Sequence, residues 1–286
     1  KTPMTVAVEY PKTNAIEVAD TLHGERVADP YRWLEDVGRP EVQAWMTAQD
    51  ELTRRLLSAR QDHDGFAARL KQLAYIDTIS VPVKRRARYF YERRHADREK
   101  GVWYWKDGAA GSEQVLLDPN AMSPDGTISL GTVVPSLDGA KVAYALRQRG
   151  EDAATLYVLD VALGKTSETD RIDGAKYAQP QWTPDGSGFY YTWLPVDPKI
   201  PVDRLPGFAE VRFHRLGEPQ DRDRVVHEKT GDPTRFIGPA LSRDGRWLFI
   251  SISRGWSAND ILVRDLEDPA GTFRPLVHGK DALYGV

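Results

Sequence analysis

The sequence predicts a mainly β protein of the propeller type, led by an α-helical segment, and three observations predict it. The first is a repeat. "SLDGAKVAY" (136–144), "TPDGSGFYY" (183–191) and "SRDGRWLFI" (242–250) each place a small hydroxyl residue, then Asp-Gly, before a run of aromatic and β-branched residues. The second is a series of short strand candidates from about residue 78 onward. The third is a pair of amphipathic stretches before them.

The repeat recurs roughly every 50 residues with about four strands to each unit, which fits propeller blades better than one sandwich. Asp-Gly supplies the positive φ of a hairpin turn, and the preceding Ser or Thr can hydrogen-bond the turn backbone. The strand after each turn is apolar on both faces, as expected for a blade stacked between two neighbours. These repeats therefore specify architecture and not chemistry. The strand candidates are "RYFYE", "VWYWK", "VLL", "KVAYAL", "TLYVLD", "GFYYTW", "EVRFHRL", "RVVHE", "RWLFISI" and "ILVRDL", separated by Asp-Gly, Pro-Asp and Gly-rich turns. No helical period survives between them, which argues against a parallel α/β sheet. Roughly four blades' worth of strands fit into residues 78–286, with "KDALYGV" expected inside a blade. An incomplete ring exposes apolar sheet, so the chain reads as part of a larger polypeptide.

Residues 1–75 read as helical. "RPEVQAWMTAQDELTRRLLSAR" puts Val42, Trp45, Met46, Leu52, Leu56 and Leu57 on one stripe. Pro40 and Glu41 suit the helix start, and Arg54, Arg55 and Arg60 suit its end. In "DGFAARLKQLA", Phe66, Leu70 and Leu73 are expected to point inward, with Asp64 as the cap. Both helices are expected to pack as ordinary core.

Composition excludes several functions. The 286 residues carry a formal net charge of −3, which disfavours a nucleic-acid partner. No apolar run approaches the roughly 20 residues that span a bilayer, so a soluble chain with no membrane partner is expected. Cysteine is absent, removing disulfides, thiolate nucleophiles and cysteine-bound zinc. The sequence opens on Lys1 with no visible signal peptide, leaving cytoplasmic and periplasmic locations open.

No reaction is legible in this stretch. "GWSAN" (255–259) approaches a nucleophile elbow, but Asn259 stands where glycine is required and a strand follows, so Ser257 reads as a loop serine. "LGKT" (163–166) resembles the tail of a phosphate loop, but Leu159 occupies the first glycine's place and Lys165 reads as a turn tip. The histidines at 23, 63, 95, 214, 227 and 278 include no metal-binding pair and read as surface or packing residues. No two carboxylates are singled out for a glycosidase. No metal and no cofactor are expected.

A resemblance supplies what the residues alone do not. "VADPYRWLEDVGRPEVQAWMTAQDE" (27–51) resembles the N-terminal signature of the prolyl oligopeptidase family of serine peptidases. "VLLDPN" (115–120), "KYAQPQWTPDGSGFYYTWLP" (176–195), "HEKTGDP" (227–233) and "LSRDGRWLFISISRGWSAND" (241–260) agree with it in order, so the likeness covers essentially the whole chain. The resemblance implies a β-propeller of about seven blades inserted in an α/β-hydrolase peptidase domain. Residues 1–72 would be the N-terminal helical segment of the peptidase domain, and 73–286 the first part of the propeller. It further implies a monomeric serine endopeptidase that cleaves short proline-containing peptides after proline, with its Ser-Asp-His triad beyond Val286. By position, Tyr177, Ile237 and Trp256 match propeller residues that line the family's substrate pocket; Trp256 is bulkier than many members carry there. A relative cleaving after Lys or Arg, and a propeller that only binds, are the alternatives.

Overall fold

The computed structural model describes residues 8–286. They divide into two compact units, one running to Ala74 and one from Tyr75 to Val286. The first seven residues of the segment expected to be helical lie outside the described residues.

The first unit is less helical than its sequence suggests. A two-stranded hairpin, β1 (Ala19–Leu22) and β2 (Glu25–Ala28), precedes a short 3-10 turn at Arg32–Glu35. Only then come α1 (Pro40–Ser58) and α2 (His63–Ala74). Pro40 opens α1, where a missing N–H costs nothing. Asp64 falls inside the first turn of α2 and does not cap it. The family-like motif acts here as a clasp. The Arg32 guanidinium donates to Asp29 at 2.9 Å and to Asp20 at 3.0 Å, and the Trp33 indole donates to the Asn14 carbonyl at 2.8 Å. The expected inward packing of the helices is corrected. Of their apolar residues only Val42 and Leu52 are buried, whereas Met46, Leu56, Leu57, Phe66, Leu70 and Leu73 are exposed. Two short helices and a hairpin present too little surface to cover both helical faces.

The second unit is a succession of four antiparallel sheets. The first joins β3 (Thr78–Ile79) and β4 (Val83–Arg85), which pair with opposite ends of β5 (Arg88–Arg94), to β6 (Val102–Asp107) and β7 (Gln114–Leu117). A single helical turn, α3 (Pro119–Met122), follows. The second sheet runs β8 (Ile128–Pro135), β9 (Lys141–Gln148), β10 (Ala154–Asp160) and β11 (Lys165–Asp173). The third runs β12 (Gln181–Trp182), β13 (Gly188–Trp193), β14 (Glu210–Arg215) and β15 (Arg224–His227). The fourth runs β16 (Ile237–Leu241), β17 (Trp247–Arg254), β18 (Ala258–Asp265) and β19 (Arg274–Val277). The last three are simple meanders, as propeller blades are, and the first differs only in that β3 and β4 share the edge of β5. "KDALYGV" lies after the fourth sheet and not inside it, held by Asn259, whose side chain accepts from the Tyr284 N–H and donates to its carbonyl.

Alternation along the middle strands explains how the sheets stack. Val142 and Tyr144 of β9 pack with Phe90 and Trp105 of the first sheet. Ala143 and Ala145, one residue out of phase, pack with Trp182, Phe189 and Tyr191 of the third. Small side chains on one sheet thus receive large aromatics from the next, leaving both buried. Each fully buried large apolar side chain contributes about 1.5–3 kcal/mol. Ala209 and Val211 then meet Ile237 and Ile250 across the third and fourth sheets.

The repeated turns join the first and second strands of the second, third and fourth sheets. In each, the glycine N–H donates to the hydroxyl residue's carbonyl, and only the glycine has positive φ (71° at Gly139, 68° at Gly186, 80° at Gly245). The aspartate contributes through its carboxylate: Asp138 accepts the Ser136 hydroxyl at 2.6 Å and the Ala140 N–H at 2.9 Å. "SPDG" at 123–126 builds the same turn ahead of β8, with Asp125 accepting from Thr127.

Candidate functional site

The strand ends opposite these turns gather the aromatic residues. Tyr177 lies on the connection between β11 and β12, and its ring meets Phe236 edge-on at 5.6 Å between centroids. The Lys176 ammonium sits 5.4 Å from the same ring, and also pairs with Asp152. Ile237 opens β16, is only 6% exposed, and packs in the cluster that Tyr177 borders. Its carbonyl accepts the Thr192 hydroxyl at 3.1 Å, so it ties the third sheet to the fourth. Trp256 occupies the turn between β17 and β18, at the same end of the fourth sheet, and is 96% exposed. The structure therefore brings Tyr177 and Ile237 together, with Ile237 as packing beneath the ring. Trp256 stands apart as a side chain in solvent.

Two further groups at this end escaped the sequence reading. Phe236, half exposed beside Tyr177, extends the apolar wall. Trp193 ends β13, with the Arg212 guanidinium 3.5 Å above its ring, held there by Glu210 at 2.6 Å. The Trp193 indole N–H is buried and has no hydrogen-bond partner among the described residues. Gly174 permits this packing: a Cβ there would lie 2.0 Å from the Leu194 carbonyl oxygen. "GFYYTWLP" held the only sequence signal for Trp193, an aromatic at the last position of a strand.

Among the described residues, one histidine lies between two carboxylates and looks superficially catalytic. His214 on β14 bonds Asp223 through Nδ1 at 2.7 Å and Asp170 through Nε2 at 3.0 Å. Asp223 also accepts the Tyr191 hydroxyl at 2.6 Å, and Asp170 the Gly217 N–H at 2.7 Å. Burial alone would lower the His214 pKa, but its two carboxylate partners outweigh burial and push it up to about 9. Burial would raise Asp170, yet its bonds to His214, Ser167 and Gly217 hold it below the usual carboxylate range. The ring is fully buried, so no substrate reaches it. The network is a charged staple joining the second and third sheets, which makes His214 a packing histidine.

Among the described residues, no histidine contacts a serine hydroxyl. Ser257 sits on the exposed turn beside Trp256, and Lys165 starts β11 at a turn. No group of three or more metal-ligating side chains occurs among the described residues. No helix among them is long and apolar enough to cross a membrane.

Comparison with known proteins places this architecture. Residues 10–286 match the family described as prolyl oligopeptidase, N-terminal beta-propeller domain. A prolyl endopeptidase of Elizabethkingia meningoseptica is 29% identical over 279 residues, covering 98% of this chain and 39% of that protein. Prolyl oligopeptidase A of Galerina marginata is 29% identical over 287 residues, covering 87% of this chain and 37% of that protein. A structure solved in a study of two prolyl endopeptidases, and of inter-domain dynamics in their catalysis and specificity, superposes with a TM-score of 0.91 at 52% identity. That match covers 96% of this chain and 40% of the other. The chain thus spans about two fifths of the length of these relatives. Four stacked antiparallel sheets, the helices before them and the match over residues 10–286 make this chain a member of the prolyl oligopeptidase family.

Proposed function

We propose that this chain is the N-terminal portion of a monomeric serine oligopeptidase that cleaves short peptides on the carboxyl side of proline. In this reading the nucleophile, its histidine and its aspartate lie on a peptidase domain encoded beyond these residues. The observation that supports the reading is the match of residues 10–286 to the N-terminal β-propeller domain of the prolyl oligopeptidase family. The geometry adds a physical reason. Tyr177 and Phe236 form a partly exposed aromatic corner over an apolar base, suited to a proline ring and a neighbouring hydrophobic side chain. Trp256, free to turn in solvent at the same end, would close on a peptide from the side.

Chemistry would follow acyl transfer: histidine takes the serine proton, the tetrahedral oxyanion is held by fixed donors, and water releases the acyl-enzyme. The propeller would admit only short peptides, and parting of the two domains would gate entry. The exposed apolar stripe of α1 and α2 suits the surface of such a peptidase domain.

The test is hydrolysis by the full-length enzyme of a Gly-Pro chromogenic peptide against an Arg-Arg one. Preference for Gly-Pro is expected. Preference for Arg-Arg would replace this reading by the Lys/Arg-cleaving relative, and hydrolysis of neither would leave a binding propeller.

A further inference from the structure

The turns at the opposite end of the sheets carry a pattern with one exception. In the second, third and fourth sheets the link between first and second strands is Ser/Thr-x-Asp-Gly, with a carboxylate in every copy. In the first sheet the same link, from β4 to β5, is only Arg86-Ala87, flanked by Lys84 and Arg85 at the end of β4 and Arg88 at the start of β5. The carboxylate is gone and cations replace it. The glycine is also gone: Arg86 holds φ of 51°, a conformation that costs an arginine energy and a glycine almost none.

These turns lie against one another. A Cβ on Gly139 would touch Arg85 at 3.2 Å, one on Gly186 would lie 3.7 Å from Asp138, and one on Gly245 would strike Pro184. Beside the row lies an open cavity of about 850 Å³ whose charged lining is Lys84, Arg85, Arg86 and Arg243, with no carboxylate. Arg88 and Arg246, close by in sequence, pair with Asp107 and Asp265. The lining arginines differ. Among the described residues Arg85, Arg86 and Arg243 make no ion pair, and Arg85 donates only to carbonyls. Burial, and then the charge of Arg243, lowers the Arg85 pKa, so cations face one another across this space. Asp138, within the field of Arg86, spends its carboxylate on Ser136 and Ala140.

We propose that this cavity binds a small multivalent oxyanion, held by Arg85, Arg86 and Arg243 with Lys84 at the rim. Guanidinium forks match phosphate and carboxylate oxygens, and an anion would relieve the repulsion between the unpaired arginines. The site is independent of the peptide-facing end and of the reaction proposed there.

Arg86→Gly is the decisive variant, because it removes a charge and relieves backbone strain together. Tripolyphosphate is titrated calorimetrically at low salt into the full-length protein, with citrate as a second probe. Arg86→Gly is expected to raise Tm by about 1–3 °C while weakening tripolyphosphate several-fold. The double variant with Arg243→Ala should lose affinity by about tenfold or more. Citrate binding beside tripolyphosphate would assign the site to carboxylates as well as phosphates; tripolyphosphate alone would assign it to phosphate. Absence of binding by both probes overturns the proposal. So does Arg86→Gly binding as tightly as the parent, or an equal loss in Arg69→Ala, an exposed arginine of the first unit.

Discussion

The helices of the first unit and the sheets of the second handle apolar residues in opposite ways. In the sheets, Phe90, Phe189, Tyr191 and Ile250 are fully buried, each against a neighbouring sheet. In the helices, Phe66, Leu70 and Leu73 are as apolar and as regularly spaced, yet they face outward. Stacked sheets complete one another's interiors from their own sequence. A pair of short helices completes nothing without a further surface. Hydrophobic spacing thus reports which face wants covering, not what covers it.

Truncation should separate the regions most sharply. Phe189→Ala opens a cavity between the second and third sheets and should cost about 3–5 kcal/mol in chemical denaturation, whereas Leu70→Ala should cost under about 0.5 kcal/mol in this chain. A comparable loss at both sites would erase the contrast.

The staple between the second and third sheets should come next. Removing the ring in His214→Gln leaves two buried carboxylates and should cost about 3–5 kcal/mol. The sign with pH follows from the raised pKa. His214 stabilises fully below its ordinary value near 6.5, and that contribution fades as pH climbs to about 9. Because Asp170 is lowered, its own contribution is present above the ordinary carboxylate pKa and fades in acid. The parent should therefore lose on the order of 3 kcal/mol between pH 6.5 and 9, and His214→Gln should lose far less. Parallel pH profiles for the two proteins would refute the charged staple.

Smaller effects belong to the turns. Gly139→Ala meets both positive φ and the 3.2 Å approach of Arg85, and should cost about 1–2 kcal/mol by thermal melting. At the aromatic corner, Tyr177→Ala in the full-length enzyme should raise KM for Gly-Pro peptides by about tenfold with little change in stability, the loss expected from one half-exposed ring. An unchanged KM would return Tyr177 to packing.

The middle strands were legible because both their faces are buried, so "KVAYAL", "GFYYTW" and "RWLFISI" announce themselves by composition. The first strands β8, β12 and β16 were not: they are short or carry Gly131, Pro135, Gly238 and Pro239, which break the strand signal. β11, "KTSETDRID", is half solvated and reads as polar loop. The early hairpin β1–β2 was hidden by a helical reading of its surroundings; His23 and Gly24, both at positive φ, were its only turn signal. At the candidate site Tyr177 was placed through resemblance, whereas the Trp193–Arg212 stack depends on register between β13 and β14, which spacing within one strand does not encode.

The proposed function holds that these residues shape and gate a peptidase site without supplying its nucleophile. Reaction of the purified 286-residue chain with a serine-directed fluorophosphonate, read by intact mass, tests it most directly. The account predicts no adduct on the folded chain. A single stoichiometric adduct, on Ser257 or any other serine, would contradict it.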